Sequence, residues 1–145
     1  VHKRGYVLAN AGVDASNVGD DRVLLLPEDP DASAARLAAA LGVPVIVNDS
    51  FGRAWRNGTV GTALGAYGIP SLLDLRGQPD MFGRTLRATE IGLADEIAAA
   101  ASMVQGQAAE RTPVVLVRGL AEILAKGPAR RASALIRPRE NDLFL

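Results

Sequence analysis

The chain contains no cysteine, which removes a thiol nucleophile, a thiolate zinc site and any disulfide from consideration. Histidine occurs once, as His2 at the start of the sequence, and that position argues against a Ser-His-Asp triad. Three Phe, two Tyr and one Trp are too few for a platform that stacks bases. Lys plus Arg and Asp plus Glu both number 16, so no basic field draws nucleic acid. Nothing approaches the roughly 18 consecutive apolar residues of a membrane span, and the reading expects no secretory leader. From these absences we expect a cytoplasmic chain with neither nucleic acid nor membrane as a partner. With sulfur and imidazole gone, a bound metal must be held by oxygens, which suits a hard cation such as Mg2+ or Mn2+.

What is present fits one domain: 145 residues, 48% of them hydrophobic, suffice to bury a core. The stretch from Pro44 to Gly61 organises the rest. It opens as a short β-branched run, Val45-Ile-Val47, which reads as a buried strand. The run ends on Asn48, Asp49 and Ser50, then breaks at Gly52 into a loop with Arg53, Trp55, Arg56 and Asn57-Gly58. A strand that delivers a carboxylate and a hydroxyl beside two arginines is one way to build a metal-and-phosphate site. An ordinary Asn-Asp-Ser turn followed by an Asn-Gly turn explains the same residues.

The same logic recurs earlier. Tyr6 to Ala9 is a short apolar run stopped at Asn10-Ala-Gly12, followed by Asp14 and Asn17. On its own, Asp14 reads first as a turn or cap residue. A second apolar run covers Val23 to Leu26. Asp31 or Ser33 can cap a helix over 34–41 with Leu37 and Leu41 inward and Gly42 as its stop, suggesting an α/β crossover into the central strand. Thr89 can cap a second helix to Gln105, buried through Ile91, Ala94, Ile97, Ala101 and Val104. Thr112 to Val117 reads as another core strand. The charged, glycine-punctuated segment from Asp74 to Arg84 reads as a surface loop before it reads as catalytic. The tail carries Ala134-Leu-Ile136 and Asp142-Leu-Phe144, a docking segment or linker. The expected fold class is α+β, a mixed sheet with the helices 34–41 and 89–105 packed on it.

Several segments, in order, resemble the coenzyme F420-0:L-glutamate ligases, also called F420 γ-glutamyl ligases. They are Ala9-Asn-Ala-Gly-Val-Asp-Ala-Ser-Asn17, Leu25-Leu-Pro-Glu-Asp-Pro-Asp-Ala-Ser33, Asp49-Ser-Phe-Gly-Arg53 and Trp55-Arg-Asn-Gly-Thr-Val-Gly61. Asp74-Leu-Arg-Gly77, Ala94-Asp-Glu96, Gly106-Gln107 and Pro113-Val-Val-Leu-Val-Arg-Gly119 complete the set. The resemblance runs from about Tyr6 to Phe144, while the first part of the family's ligase domain has no counterpart. The first residue is Val and the chain opens almost directly on an apolar run, so we expect residues 1–145 to form the C-terminal part of such a domain, incomplete at its N-terminus. A two-domain relative continues past the Asp-Leu-Phe tail into a nitroreductase-like domain, and the chain is compatible with either form.

The resemblance implies a homodimeric ligase that uses GTP to join L-glutamate to the deazaflavin precursor coenzyme F420-0, first by an amide and then through a γ-glutamyl bond. It implies two divalent ions, Mg2+ or Mn2+, and a stimulating K+. By motif, Asp14 and Asp49 would bind the first divalent ion, while Ser50 and Gln107 would serve the second. Ser50 stands where members often carry Thr, and Gln107 where they carry Glu, which removes a negative charge from the second site. Asn17 and the segment Gln105, Gly106, Gln107, Ala108, Ala109, Glu110, Arg111 and Thr112 would contact the nucleotide. Phosphoryl transfer to a carboxylate needs positioning and charge neutralisation more than a protein nucleophile, which agrees with the missing cysteine and histidine chemistry. Arg53 and Arg56 are the candidate catalytic partners for a phosphate or substrate carboxylate, with structural ion pairs to Asp74 or Asp80 as their alternative. Two other readings remain open: a non-catalytic fragment of the same fold, and another GTP- and metal-dependent phosphotransferase.

Overall fold

Two helices lie against one long β-hairpin, and the chain's glycines and alanines decide how closely. The computed structural model describes residues 2–8 and 12–141. The end of the first apolar run with its stop (residues 9–11) and the Asp142-Leu-Phe144 tail lie outside the described residues. The elements are α1 (Pro30–Leu41), β1 (Val45–Arg53), β2 (Arg56–Tyr67), β3 (Leu73–Asp74), β4 (Glu90–Ile91), α2 (Leu93–Gln105) and α3 (Ala121–Leu124). Two 3-10 turns, Ala132–Leu135 and Arg139–Asn141, follow. The class is α+β, as expected.

Among the described residues the expected mixed sheet and α/β crossover are not formed. Among the described residues β1 pairs with β2 and β3 with β4, both antiparallel. Parallel pairing is confined, among the described residues, to the isolated bridge Pro70–Arg130. The central strand also continues through Asp49, Ser50 and Gly52 to Arg53, so the expected break at Gly52 is corrected. The hairpin turns at Ala54-Trp55, with Trp55 at φ 57°. Asn57-Gly58 falls instead in a register shift of β2, where Gly52 faces Thr59 and Arg53 faces Arg56.

Helix α1 starts earlier than its sequence suggested. Pro30 takes the first helical position, where its missing N–H costs nothing, and Asp29 caps it by accepting from Ala32 N at 3.0 Å. Asp31 and Ser33 are therefore not the cap. The expected inward leucines are also corrected: Leu37 and Leu41 are exposed, whereas Ala34 and Ala38 are buried. The reason is the approach of β2. A Cβ on Gly65 would sit 2.1 Å from the Pro30 carbonyl oxygen, and one on Gly61 would sit 2.4 Å from that of Ala98. At such separations only alanine-sized side chains fit between helix and strand.

Helix α2 begins after Gly92, with no side-chain cap. Thr89 is not its cap, because Glu90 and Ile91 are drawn into β4 opposite Asp74 and Leu73. Its buried face is Leu93, Ala94 and Ala98, with Ile97 half-buried and Val104 exposed. Thr112 to Val117 forms no strand: Val114 and Leu116 are exposed, and no strand among the described residues pairs with them. Tyr6–Leu8 is likewise irregular, and Val23–Leu26 makes one bridge, Asp14 to Leu24.

Carboxylates complete the packing. Asp31, 6% exposed, accepts from Ala66 N at 2.9 Å, Ala132 N at 2.9 Å and Ser133 N at 3.4 Å. Asp95 accepts from Ala63 N at 2.8 Å, and Ser102 Oγ accepts from Gly61 N at 3.3 Å. Among the described residues no helix is long and apolar enough to cross a membrane.

Gly65→Ala should cost about 2 kcal/mol or more, because backbone atoms must move. Gly52→Ala, with nothing within 4 Å of the added carbon, should stay within about 0.5 kcal/mol of the parent. Chemical denaturation of the two variants checks the contrast.

Candidate functional site

From Asn48 to Gly52 the hairpin register is regular, so side chains alternate between the two faces of β1. Asn48 and Ser50 share one face, and Asp49 and Phe51 share the other. Ser50 lies opposite Gly61, over which Ala98 and Ser102 of α2 pack. Phe51 belongs to a cluster with Tyr6 and Leu64, against which Leu8 and Leu26 pack. Asp49 and Ser50, adjacent in sequence, therefore serve different sides of the strand.

The side-chain amides of Asn48 and Gln105 face each other. Asn48 Nδ2 donates to Gln105 Oε1 at 2.8 Å, and Gln105 Nε2 donates to Asn48 Oδ1 and to the Pro113 carbonyl, each at 3.3 Å. The Asn48/Ser50 face thereby meets the C-terminal end of α2, where the Gly106 to Thr112 segment begins. Within that segment Glu110 Oε2 accepts from Ala108 N at 2.8 Å, and Thr112 Oγ1 donates to the Glu110 carbonyl at 3.3 Å. Gly106 has φ 74°, and a Cβ there would lie 2.2 Å from Glu110 Cδ. The Ala108 N–H holds the Glu110 carboxyl below its ordinary value. Gln107, Ala108, Ala109 and Arg111 are exposed, Arg111 at φ 56°.

Asp14 occupies a bridge with Leu24, closed by backbone bonds of 3.0 and 2.7 Å. Its carboxylate accepts from Ser16 N and Oγ, and the Ser16 hydroxyl bond is the main reason its pKa falls below the ordinary value. Asn17 turns the following loop at φ 55°, a conformation that asparagine tolerates better than most residues. The Leu26 side chain beside Gly12 carries this segment to the Tyr6–Phe51–Leu64 cluster, on the Asp49 face. Asp49 itself is half-buried and accepts from Ser50 N at 2.7 Å.

The four expected metal residues thus fall into two groups: Asp14 and Asp49 belong with one face of β1, Ser50 and Gln107 with the other. Their donors are all oxygens, which suits a hard divalent ion. Among the described residues no three of His, Cys, Asp and Glu gather to hold a metal. An ion at Asp49 or Ser50 would complete its shell with hydroxyl, amide, phosphate or water oxygens.

Arg53 and Arg56 flank the hairpin turn, both exposed and outside any ion pair among the described residues. Their alternative partners are occupied elsewhere. Asp74 pairs with Arg76 at 2.5 Å, which lowers the Asp74 pKa to about 2, and Asp80 accepts from Phe82 N and Arg84 N. Arg53 lies four positions along β1 from Asp49, about 13 Å of strand, so the hairpin brings the two together only through the length of the arginine.

Sequence reasoning gave Asp95 no role. It lines a cavity of about 180 Å3 with Tyr6, Phe51, Thr62, Leu135 and Ile136, and Thr62 is the cross-strand partner of Asp49. Burial pushes the Asp95 carboxyl above its ordinary 3.8, while the Ala63 N–H pulls it down. The available signals were its place in the Ala94-Asp-Glu96 segment, which carried resemblance but no role, and an acidic residue in the first turn of a helix, which reads as a dipole effect.

A raised acid pKa favours folding most fully below pH 3.8, and that contribution is lost as pH rises through the folded-state value. Asp95→Asn keeps an acceptor for Ala63 N–H, so its stability should vary less with pH than the parent's from pH 3 to 6 and match or exceed it at pH 7. Asp95→Ala leaves that buried donor unpaired and should cost about 1–3 kcal/mol. Thermal melts across that pH range distinguish the two.

Comparison with known proteins agrees with the sequence motifs. The family model described as F420-0:Gamma-glutamyl ligase matches residues 1–119. A protein of Methanopyrus kandleri named coenzyme F420:L-glutamate ligase is 48% identical over 97% of this chain and 58% of its own length. Proteins of the same name from Methanocaldococcus jannaschii and Methanothermobacter thermautotrophicus are 43% and 42% identical, each over 98% of this chain and 58% of their own length. The chain thus spans somewhat over half the length of these curated relatives. A family match across most of the chain, with relatives alike over nearly all of it, establishes that the chain belongs to the F420-0:γ-glutamyl ligase family.

Proposed function

We propose that this chain provides one part of a GTP-dependent ligase that joins L-glutamate to coenzyme F420-0, built on the family's α+β fold and acting as a cytoplasmic homodimer. The observation that carries the reading is the Asn48–Gln105 amide pair, which ties the start of the Gln105–Thr112 segment to the face of β1 that carries Ser50. A nucleotide-contacting loop next to oxygen ligands on a rigid strand is what phosphoryl transfer requires.

In this reading a carboxylate oxygen of F420-0 attacks the γ-phosphorus of GTP, the bond to the β,γ-bridging oxygen breaks, and GDP leaves. The glutamate amine then attacks the acyl carbon of the resulting acyl phosphate, inorganic phosphate departs, and the amine proton passes to solvent. Asn17 and the loop from Gln105 through Gly106, Gln107, Ala108, Ala109, Glu110, Arg111 to Thr112 hold the nucleotide. Arg53 and Arg56, exposed and outside any ion pair among the described residues, orient a phosphate or a substrate carboxylate. Mg2+ or Mn2+ at Asp14 and Asp49 and at Ser50 and Gln107, with K+ nearby, would neutralise phosphate charge. The reading is tested on the protein as its gene encodes it, by following glutamate-dependent phosphate release from GTP with F420-0. GTP hydrolysis independent of both acceptors would point instead to a different phosphotransferase.

Asp49→Asn keeps the acceptor for Ser50 N and removes the charge a cation needs. Its melting temperature without metal should stay near the parent's. It should lose most of the Mn2+-induced stabilisation, about 2.7 kcal/mol at a hundredfold excess over Kd, and the ligase activity with it. A variant destabilised without metal that keeps the Mn2+ response would make Asp49 a structural residue.

Because Asn17 sits at a positive φ, its side-chain role is best isolated with glycine, which adopts that conformation freely. Asn17→Gly should raise the KM for GTP and leave the melting temperature nearly unchanged. Unaltered GTP kinetics would remove Asn17 from the nucleotide site.

A further inference from the structure

The geometry points to Asn48 as a positioning residue for the nucleotide, acting through Gln105. This inference rests on the ligase reading and concerns two residues with different expected roles. Gln105 was placed by resemblance among the nucleotide contacts, yet its side-chain amide is already engaged. Its oxygen accepts from Asn48 at 2.8 Å, and its nitrogen donates to Asn48 and to the Pro113 carbonyl. Those bonds join three distant points of the chain: strand β1 beside Asp49, the last residue of α2, and the far end of the 106–112 loop.

The bond to Pro113 closes the loop at its neck, since Gln105 precedes it and Pro113 follows it. The loop has its own internal latch. Glu110 folds back over Gly106, where a side chain would collide with it, and accepts the Ala108 N–H at 2.8 Å. The latch shapes the loop but does not tie it to the strand. Asn48 does that, through two side-chain hydrogen bonds spanning 57 residues of sequence. Asn48 is partly shielded and shares a face with Ser50, so the anchor lies on the side where the second set of expected ligands stands.

The energetic consequence is specific. A loop that spends part of its time detached binds nucleotide only with its attached fraction, so apparent affinity falls by that fraction while chemistry in the bound state is preserved. Breaking the clasp should therefore act on KM for GTP rather than on kcat. The opposite pattern would belong to a residue that touches the reacting atoms.

The experiment uses Asn48→Ala, Gln105→Ala and the double exchange Asn48→Gln with Gln105→Asn, which preserves the summed length of the two side chains. Hydrogen exchange without nucleotide should show faster exchange at 106–112 in both single variants, with the β1–β2 ladder protected as in the parent. KM for GTP should rise about tenfold with kcat within about twofold, and the double exchange should restore both measures. Unchanged exchange at 106–112 in Asn48→Ala overturns the clasp. Loosened exchange with unchanged KM for GTP overturns the nucleotide role. A general loss of protection across β1 and β2, not rescued by the double exchange, makes Asn48 a packing residue and overturns the proposal. A parent protein that neither binds nor uses GTP overturns the ligase reading and the nucleotide role together, while the exchange result still decides whether the clasp exists.

Discussion

A two-stranded sheet has two open edges, and the arrangement of this chain depends on how the β2 edge is satisfied. Gly61, Ala63 and Ala66 direct N–H groups away from β1 into protein, where an unmade hydrogen bond is expensive. Side chains of the two helices take the place of a third strand: Ser102 and Asp95 from α2, Asp31 from α1. The extra residue at Leu64, where the register jumps from Val47–Gly65 to Asn48–Ala63, resets the phase of β2. Ala63 and Ala66 can then both join one core cluster, and both can present their N–H groups to a helix. Asp31 also accepts from the Ala132 turn, so one carboxylate joins the first helix, the hairpin and the chain's last third.

This edge capping has a steric requirement. Short side chains such as Asp and Ser reach a strand's backbone only when the helix lies almost on top of it. Gly61 and Gly65 permit that approach, and the alanines of α1 and α2 fill what space remains. The hairpin is consequently rigid where Asn48, Asp49 and Ser50 lie, and a rigid strand is the natural place to mount groups that must hold phosphates and cations in register.

How much of this was legible varies residue by residue. The β-branched Val45-Ile-Val47 run announced β1 and its polar end at Asn48 to Ser50. Gly52 looked like the break into a loop because glycine is a common chain breaker, whereas β1 runs on to Arg53. Asn57-Gly58 has the strongest turn chemistry in the chain, yet Trp55 took the left-handed position and Asn57-Gly58 became the irregularity beside it. Leu37 and Leu41 do not face inward because the distance between backbones, which Gly65 sets, leaves room only for alanines whatever the hydrophobicity of the leucines. Thr112–Val117 has strand composition and no strand beside it among the described residues. Of the candidate site, the strand-end residues Asp49 and Ser50 and the loop after α2 were readable from motif. Their placement on opposite faces followed once the strand was known to continue. Asp31, Asp95 and the Asn48–Gln105 pair were not readable, because each depends on a contact between residues far apart in sequence. Nothing local distinguishes a buried acceptor from a helix-start acid.

The arm between β3 and β4 has a different standing from the rest. From Asp74 to Glu90 no residue is buried. The arm is held by backbone pairs such as Leu75 to Thr89 and Gly77 to Leu86, by the Arg76 ion pairs, and by a tip closed on Asp80. Opening it exposes almost no apolar surface, so its free energy of opening lies far below that of the hairpin and helices. The molecule therefore has two tiers of cooperativity. A trypsin-like protease would meet Arg84 and Arg87 in an intermittently melted ribbon, and a cut there would leave the edge-capped core standing, with Ser71 still accepting from Ala94 N at the root.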